Sequence, residues 1–329
     1  MDVVAVAQRL ADETLFPAAL ETDRSEVVPV ELLDALADAG LYGLTGPASA
    51  GGLEAEFPSM LAVIEAIDSG CLTTAFVWTQ HLGCVRDAAA SANEEVRALV
   101  PRMCSGELRS GLALGGAHAG RPQLHARPDG GGWVLNGVSP FVSGWGRIDV
   151  MHAAARTDDG RLVWSFLDAA EGDTIRAERL DLVALNATAT VRLELREHRV
   201  PSSMVSSIVP FAEGFTPPPV LRVHSCMPLG VASRCARLLE ETSFETELAE
   251  VRAELDRLDP ATIEAARGRV GLVAWRAAAA LMVEQGSRSL LLQGHAQRLA
   301  REALFCLVYA LRPGSRSSVL ALLAGDPTG

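Results

Sequence analysis

The spacing of apolar side chains divides the chain into three zones. Before residue 110 apolar residues recur every three or four positions, which predicts helices, as in Val30, Leu33, Leu36 and Ala37. Around 191–196 the period is two, with Val191, Leu193 and Leu195 alternating with charged residues, the pattern of a half-exposed antiparallel strand. The helical period returns after residue 210. We therefore predict an α+β, mostly helical fold with an N-terminal helical domain (1–110), a central antiparallel β-domain (111–210) and a C-terminal helical bundle (211–329).

The composition and net charge exclude some classes of partner. Hydrophobic residues make up 49% of the 329 positions, with many Ala and Leu, which favours helices. The net charge is −12 and the sequence contains no Lys, which argues against nucleic acid and anionic membranes as partners. From residue 286 to the end, however, the sequence holds five Arg and only two acidic residues. This local positive charge either accommodates an anionic ligand or belongs to a solvated helix face. The charged first residues and the short apolar runs predict a soluble cytoplasmic protein without a membrane span.

Cysteine and histidine give no sign of a metal site. The six Cys are scattered singly, without paired spacing or neighbouring His at ligand spacing. We predict reduced, buried thiols and no bound metal. His81 alone is more typical of a packed histidine than of a catalytic one.

Glycine-rich elbows mark the start of the central zone. Gly115-Gly116 and Ala119-Gly120 follow an apolar segment and expose main-chain N–H groups to a flat ligand or a phosphate. Each glycine taken alone is better explained as a turn. Further on, Asn136-Gly137 after an apolar run predicts a type I′ hairpin turn.

These segments resemble the acyl-CoA dehydrogenase family of flavoproteins. Residues 113–120 correspond to its A-L-T-E-P-x-A-G-S-D strand, and 135–143 to its L-N-G-x-K-x-W-I-T-N strand. The resemblance covers essentially the whole chain, including Val63-Ile64-Glu65 in its helical half and Thr188 and Thr190 at its S-x-T positions. It implies bound FAD and α,β-dehydrogenation of an acyl-CoA or acyl-carrier thioester.

The resemblance also implies the flavin contacts. Phe141 replaces the aromatic residue beside the isoalloxazine, and Ser143 replaces the hydroxyl residue at N5, keeping a donor. Gly115 and Gly116 lose the family's Thr-Glu side chains but keep their backbone donors at the pyrimidine edge. The implied cofactor-binding residues are Leu114, Gly115, Gly116, Gly120, Phe141, Val142, Ser143, Gly286 and Ser287.

Two departures bear on activity. The family's R-x-x-F-G segment, which contacts FAD across a subunit interface, has no counterpart; residues 238–258 are acidic there. At the end of the chain, Arg298-Leu299-Ala300-Arg301-Glu302-Ala303 falls on the family's R-L-x-R-D-A, which places Ala310 where the catalytic glutamate belongs. The pattern from His295 predicts a helix through Leu311 that stops at Pro313-Gly314.

Abstraction of the Cα proton needs a positioned base, and alanine has none. His224 is the only titratable substitute in 220–226 and is more typical of an interface or core-edge histidine. Three functions remain open. The first is an FAD-dependent dehydrogenase that either uses an unrecognised base or works as a base-deficient subunit beside a catalytically complete partner. The second is a flavin-dependent monooxygenase on the same fold, and the third is a non-catalytic binding or scaffold subunit. Apolar faces on the last helices predict a homodimer or a hetero-oligomer with a related subunit.

Overall fold

A computed structural model describes residues 2–212, 216–240 and 242–325. The first zone is helical, as predicted, and Asp2 caps its first helix by accepting from the N–H groups of Val4 and Ala5. A π-helical segment, Ala11–Leu15, joins the first two helices. The helices are Val3–Leu10 (α1), Phe16–Arg24 (α2), Val30–Asp38 (α3), Phe57–Gly70 (α4), Leu72–Ala89 (α5), Glu94–Arg97 (α6) and Val100–Ser105 (α7).

The central zone forms one sheet of eight strands. Seven of them follow the order β6-β7-β3-β2-β4-β5-β8, and β1 pairs with β4. The strands are Ser110–Ala113 (β1), Leu124–Asp129 (β2), Gly132–Val142 (β3), Val150–Arg156 (β4), Arg161–Asp168 (β5), Ile175–Arg179 (β6), Val191–Pro201 (β7) and Val205–Pro210 (β8).

The sheet is mixed, although a wholly antiparallel one was predicted. β1 and β2 both run parallel to β4, and the other pairings are antiparallel. The parallel pair β1–β4 is possible because the β2–β3 hairpin lies between them in the chain, which supplies the long connection that parallel strands require. The alternation in β7 is confirmed, since its residues 191, 193 and 195 are buried.

The predicted turn at Asn136-Gly137 is wrong. These residues lie inside β3, paired with His125 and Leu124 of β2, and the hairpin turns instead between Asp129 and Gly132. Gly137 has a φ of +124°, and a Cβ there would lie 2.1 Å from the carbonyl oxygen of Gln123. The glycine is therefore needed for a bulge in a strand rather than for a turn, and sequence alone does not separate these two uses.

The last zone is helical again, with the bounds Pro218–His224 (α8), Cys226–Leu239 (α9), Thr242–Leu255 (α10), Ile263–Gln285 (α11), His295–Val308 (α12) and Pro313–Leu323 (α13). The helical zones share their cores: Leu72 and Phe76 of α5 pack in the core formed by α9, α11 and α12. A buried ion pair at 2.9 Å, Arg222 with Glu65, also joins them. The order helix, sheet, helix is confirmed, whereas the domain boundaries at 110 and 210 stay a prediction.

Candidate active site

Ser143, at the C-terminal end of β3, begins a chain of three buried hydroxyl groups. Its Oγ lies 2.7 Å from Thr190 Oγ1, which lies 2.8 Å from Thr188 Oγ1. Thr188 donates to the carbonyl oxygen of Leu185 at 2.7 Å. Because a carbonyl only accepts, Thr190 must donate to Thr188 and Ser143 to Thr190. Ser143 therefore offers a lone pair, rather than the donor expected from the sequence, to a group bound beside β3.

Phe141 lies two residues earlier and faces solvent. Its side chain is 63% exposed, while Val142 is fully buried against β7. The register with β7 shifts between Ser139 and Val142, so a bulge turns Phe141 outward. An exposed aromatic side chain thus lies two residues before the buried hydroxyl of Ser143, and the two residue types together suit a flat ring with polar edges.

The glycine segment after β1 packs tightly against the protein itself. A Cβ on Gly115 would lie 2.2 Å from the carbonyl oxygen of Val138, and one on Gly116 would lie 2.6 Å from that of Ala154. The N–H of Gly116 already donates to Ala154 O at 2.8 Å. Close packing within the sheet therefore accounts for these glycines without a ligand.

Arg156, at the end of β4, holds the rest of this segment in place. Its guanidinium donates to the carbonyl oxygens of Gly116, His118 and Gly120, and it lies over the ring of Phe211. Leu114, at the start of the segment, is half-buried. The segment is thus a fixed loop between β1 and β2, which both pair with β4.

Gly286 and Ser287 lie at the C-terminal end of α11. Gly286 has a φ of +60° and ends the helix, and a short 3-10 helix, Gly286–Leu290, follows. In the described chain no hydrogen bond joins these two residues to β3. Their assignment to the cofactor site stays a prediction.

Ala310 lies in a loop, and the helix predicted to run through Leu311 is shorter than expected. α12 ends at Val308, Tyr309 is extended, and Ala310 has a φ of +52° in the left-handed region. The next helix starts at Pro313, which is suited to a first helical position. Arg267 of α11 explains the early end, since it donates at 3.0 Å to the carbonyl oxygens of both Cys306 and Tyr309.

His224 lies beside this loop at the end of α8. The centre of its ring is 5.6 Å from that of Tyr309, and its Nδ1 has no hydrogen-bond partner among the described residues. Burial, together with the charges of Arg267 and Arg312, lowers the pKa of His224 to about 4. The ring is therefore neutral at pH 7, and its free nitrogen is a weak proton acceptor.

Electrostatics connects this loop with the sheet. Burial, together with the charges of Arg312 and Arg156, lowers the pKa of His118. Phe76 of α5 packs against the loop from the N-terminal half, with its ring 5.2 Å from that of Tyr309. The structure thus brings Phe76 and His224 together at Tyr309, the residue before Ala310.

Sequence reasoning did not single out Arg267. It falls at helical spacing with Ile263, Val270 and Ala274, which are all buried, and a charge on such an apolar face is the signal that identifies it. His81, in contrast, is confirmed as a packed histidine. Its Nδ1 accepts from the N–H of Ser110 and its Nε2 donates to Met103 O, both at 3.0 Å, and burial lowers its pKa to about 4.

Other features of the described chain lie apart from this region. All six cysteines are free and buried, as predicted. Cavities of 640 Å³ and 590 Å³ lie between α3 and the start of β1 and along β6–β7, and neither is lined by a predicted site residue. Within the described ranges no three His, Cys, Asp or Glu side chains gather as metal ligands, and no helix is long and apolar enough to cross a bilayer.

Comparison with known proteins supports the resemblance to the acyl-CoA dehydrogenases. Residues 2–107 match the model of the acyl-CoA dehydrogenase N-terminal domain. (2S)-methylsuccinyl-CoA dehydrogenase of Cereibacter sphaeroides is 30% identical over 162 residues, 46% of this chain and 29% of that protein. These matches support an acyl-CoA dehydrogenase family member. A second relative, 3-sulfinopropanoyl-CoA desulfinase of Paraburkholderia xenovorans, is 25% identical over 60% of this chain and 53% of its own length.

Solved structures of the family share the whole fold. The glutaryl-CoA dehydrogenase of Mycobacterium smegmatis in complex with FADH2 superposes with a TM-score of 0.78 at 19% identity, covering 98% of this chain and 94% of that one. At this identity the likeness shows the acyl-CoA dehydrogenase fold alone. In sequence, the chain spans about a third to a half of the length of the two relatives named above.

Proposed function

We propose that this chain is a flavin-dependent oxidoreductase subunit of the acyl-CoA dehydrogenase type that acts on an acyl-CoA or acyl-carrier thioester. The observation that carries the proposal is the exposed face of Phe141 beside the directed hydroxyl chain of Ser143. Both relatives are named for acyl-CoA substrates, and each named acyl group contains a second acidic function.

The residues at the end of β3 fit the ring half of FAD. Phe141 would offer its aromatic face to the ring system, and Ser143 would accept a hydrogen bond from the edge of the ring. FAD supplies the hydride acceptor for the reaction. The protein's part is to fix the ring and to exclude water from it.

The phosphate half of FAD fits this chain less well. The family's R-x-x-F-G segment is missing, and α10, which stands in that part of the sequence, carries acidic residues at 245, 247, 250 and 254. Carboxylates repel a pyrophosphate. We therefore infer that a second subunit completes the phosphate site, and that the isolated chain binds FAD weakly.

The base is the second missing element. Ala310 has only a methyl group, and His224, with a pKa of about 4, is a weak acceptor for a Cα proton. We infer that the isolated chain is a poor dehydrogenase and that a related, catalytically complete subunit works beside it. In this silent-subunit model, the partner subunit supplies both the phosphate site and the base that this chain lacks.

The surface of the C-terminal helices supports assembly. Large apolar side chains there are more than 40% exposed: Val283, Leu290, Leu291, Leu292, Leu304, Val308, Leu320 and Leu323. Apolar patches of this kind on soluble proteins mark interaction surfaces. We propose a homodimer or a hetero-oligomer with a related subunit. Sedimentation of a monodisperse monomer at micromolar concentration, with and without the candidate subunit, would contradict this.

Flavin titration tests the cofactor proposal. Fluorescence of FAD is followed while purified wild type, Phe141→Asp and Ile208→Asp are added, alone and with the candidate partner subunit. Ile208 is a control because it is an exposed apolar residue on another strand. We expect Phe141→Asp to weaken binding at least tenfold and Ile208→Asp to leave it unchanged. Equal, negligible binding by all three proteins under both conditions would remove flavin from the proposal.

Anaerobic bleaching of bound flavin by a panel of acyl-CoAs tests the reaction. No bleaching by the chain alone, with bleaching once the partner is added, supports the silent-subunit model. Fast bleaching by the chain alone that survives His224→Ala would overturn it. Oxygen consumption by the reduced flavin with incorporation into a substrate would assign the chain to the monooxygenases instead, since those need no carboxylate at position 310.

A further inference from the structure

Among the described residues, every buried arginine but one either pairs with a carboxylate or uses all three of its guanidinium nitrogens as donors. Arg222, Arg234 and Arg298 each pair with a carboxylate, of Glu65, Asp12 and Glu302 respectively. Arg156 has no carboxylate but uses all three nitrogens on carbonyl oxygens. Arg267, only 1% exposed, leaves Nε and Nη1 without a hydrogen bond among the described residues. A guanidinium stays charged at every physiological pH, so this one is a buried positive charge without an anion.

The bonds that Arg267 does make place it at the α12–α13 loop. Its Nη2 donates to the carbonyl oxygens of Cys306 and Tyr309, the second of which belongs to the peptide bond that links Tyr309 to Ala310. The guanidinium therefore lies beside the position that the family's carboxylate base occupies. In this chain that position has a methyl group.

Two further groups in this region lack partners. Nε of Arg312 and Nδ1 of His224 are buried and have no hydrogen-bond partner among the described residues. Arg312 follows Ala310 by two residues, and the ring of His224 lies 5.6 Å from that of Tyr309, so both groups border the α12–α13 loop. Burial and the charges of Arg267 and Arg312 lower the pKa of His224. Asp68 is the acid that acts on Tyr309, and burial raises the pKa of Asp68 well above its usual range. No ion pair of Arg267 or Arg312 exists within the described ranges.

We propose that Arg267, Arg312 and His224 form a binding site for a carboxylate-like oxyanion at the position of the family's missing base. Two guanidinium groups supply forked donors that match the two oxygens of such an anion. On the proposed function the acyl group of a bound thioester reaches position 310, and the occupant that fits is then the distal carboxylate of an ω-carboxyacyl thioester. This last step rests on the proposed function, whereas the anion site itself does not.

A neutral His224 contributes in two ways. As a donor at one nitrogen it adds a hydrogen bond to the anion, and as an acceptor it gains a proton more easily once a negative charge lies nearby. A bound carboxylate therefore raises the pKa of His224 from its low value. An NMR titration of the His224 ring with and without anion reports this change independently of catalysis.

Calorimetric titration of the full chain with succinyl-CoA and butyryl-CoA tests the acyl version. These thioesters have the same chain length and differ in the terminal carboxylate. We expect wild type to bind succinyl-CoA at least ten times more tightly, and Arg312→Gln to lose that preference. Arg316→Gln is the matched control, because Arg316 lies on the exposed side of α13, one turn away. Arg267→Gln is avoided as the first variant, since it also removes the bonds that end α12.

Thermal stability with free glutarate, inorganic phosphate and neutral glutaramide separates this inference from the proposed function. If neither thioester binds, the thioester proposal fails, while stabilisation by glutarate that Arg312→Gln abolishes and Arg316→Gln retains still supports the anion site. Equal stabilisation by phosphate and glutarate, without a preference for succinyl-CoA, supports a site for free oxyanions rather than for an acyl group. No preference between the thioesters and no Arg312-dependent stabilisation by either anion would overturn the inference.

Discussion

Replacing Ala310 with glutamate tests the electrostatics of the α12–α13 loop directly. The guanidinium of Arg267 lies 3.0 Å from Tyr309 O. That oxygen is about 3 Å from the Ala310 Cα, so the charge is within about 6 Å of the new side chain. At that range a Glu carboxylate reaches Arg267 without a change of backbone. The left-handed φ of +52° costs Ala, Gln and Glu a similar conformational free energy, so this strain cancels when the stabilities of the variants are compared.

The expected gain follows from the unpaired charge. A hydrogen bond to a charged group contributes about 1.5–3 kcal/mol, and partial desolvation of the carboxylate offsets some of it. We expect Ala310→Glu to be about 1–2 kcal/mol more stable than Ala310→Gln, which has the same shape without the charge. That difference corresponds to a rise of roughly 1.5–3 °C in Tm for a chain of this length.

Urea unfolding of both variants at pH 7, repeated in an Arg312→Gln background, measures this difference. The stability gap should shrink when Arg312 is removed, because two cations then become one. In the flavin-loaded complex the same Glu should raise the bleaching rate by up to a hundredfold to ten-thousandfold, the contribution of a positioned base. Equal stability of the Glu and Gln variants would refute the reasoning, since it would show that no uncompensated positive charge faces Ala310.

Three further predictions concern stability. Gly116→Ala should destabilise the fold by more than about 1 kcal/mol, because the added Cβ would lie 2.6 Å from backbone atoms. Gly83→Ala in α5 is the control: a Cβ has open space there, and the variant should be about 0.5–1 kcal/mol more stable. The urea midpoints of the two variants test this pair of predictions. Thr190→Val should cost about 1–3 kcal/mol by leaving buried Ser143 without its acceptor, and an unchanged midpoint would contradict the directed chain. Burial lowers the pKa of His152 to about 3 in the folded protein. As the pH falls below 6.5, the unfolded chain takes up a proton at this histidine and the folded chain does not, so the free energy of unfolding falls by about 1.4 kcal/mol per pH unit towards pH 3. His152→Gln should remove that part of the pH dependence.

Particular elements show how much of the fold the sequence predicts. Period-two alternation located β7 correctly, and helical periodicity located α3, because each pattern follows from which face of a single element meets the core. The Asn136-Gly137 dipeptide was misinterpreted because a bulge and a hairpin turn place the same demand on the backbone. The predicted helix through Ala310 is too long, because the end of α12 depends on Arg267, which lies 42 residues before Tyr309 in the chain.

The candidate site divides in the same way. The residues of 141–143 and the alanine at position 310 came from motif order, which a sequence records directly. The direction of the hydroxyl chain and the packing that explains Gly115 and Gly116 did not, since both depend on the distances to strands far away in sequence. The sequence by itself determined the order of helical and strand zones and the resemblance to the acyl-CoA dehydrogenases, which places Ala310 where a carboxylate base is expected. Only the tertiary structure showed that Arg267 is buried without an anion, because the balance of a buried charge depends on every group that folds around it.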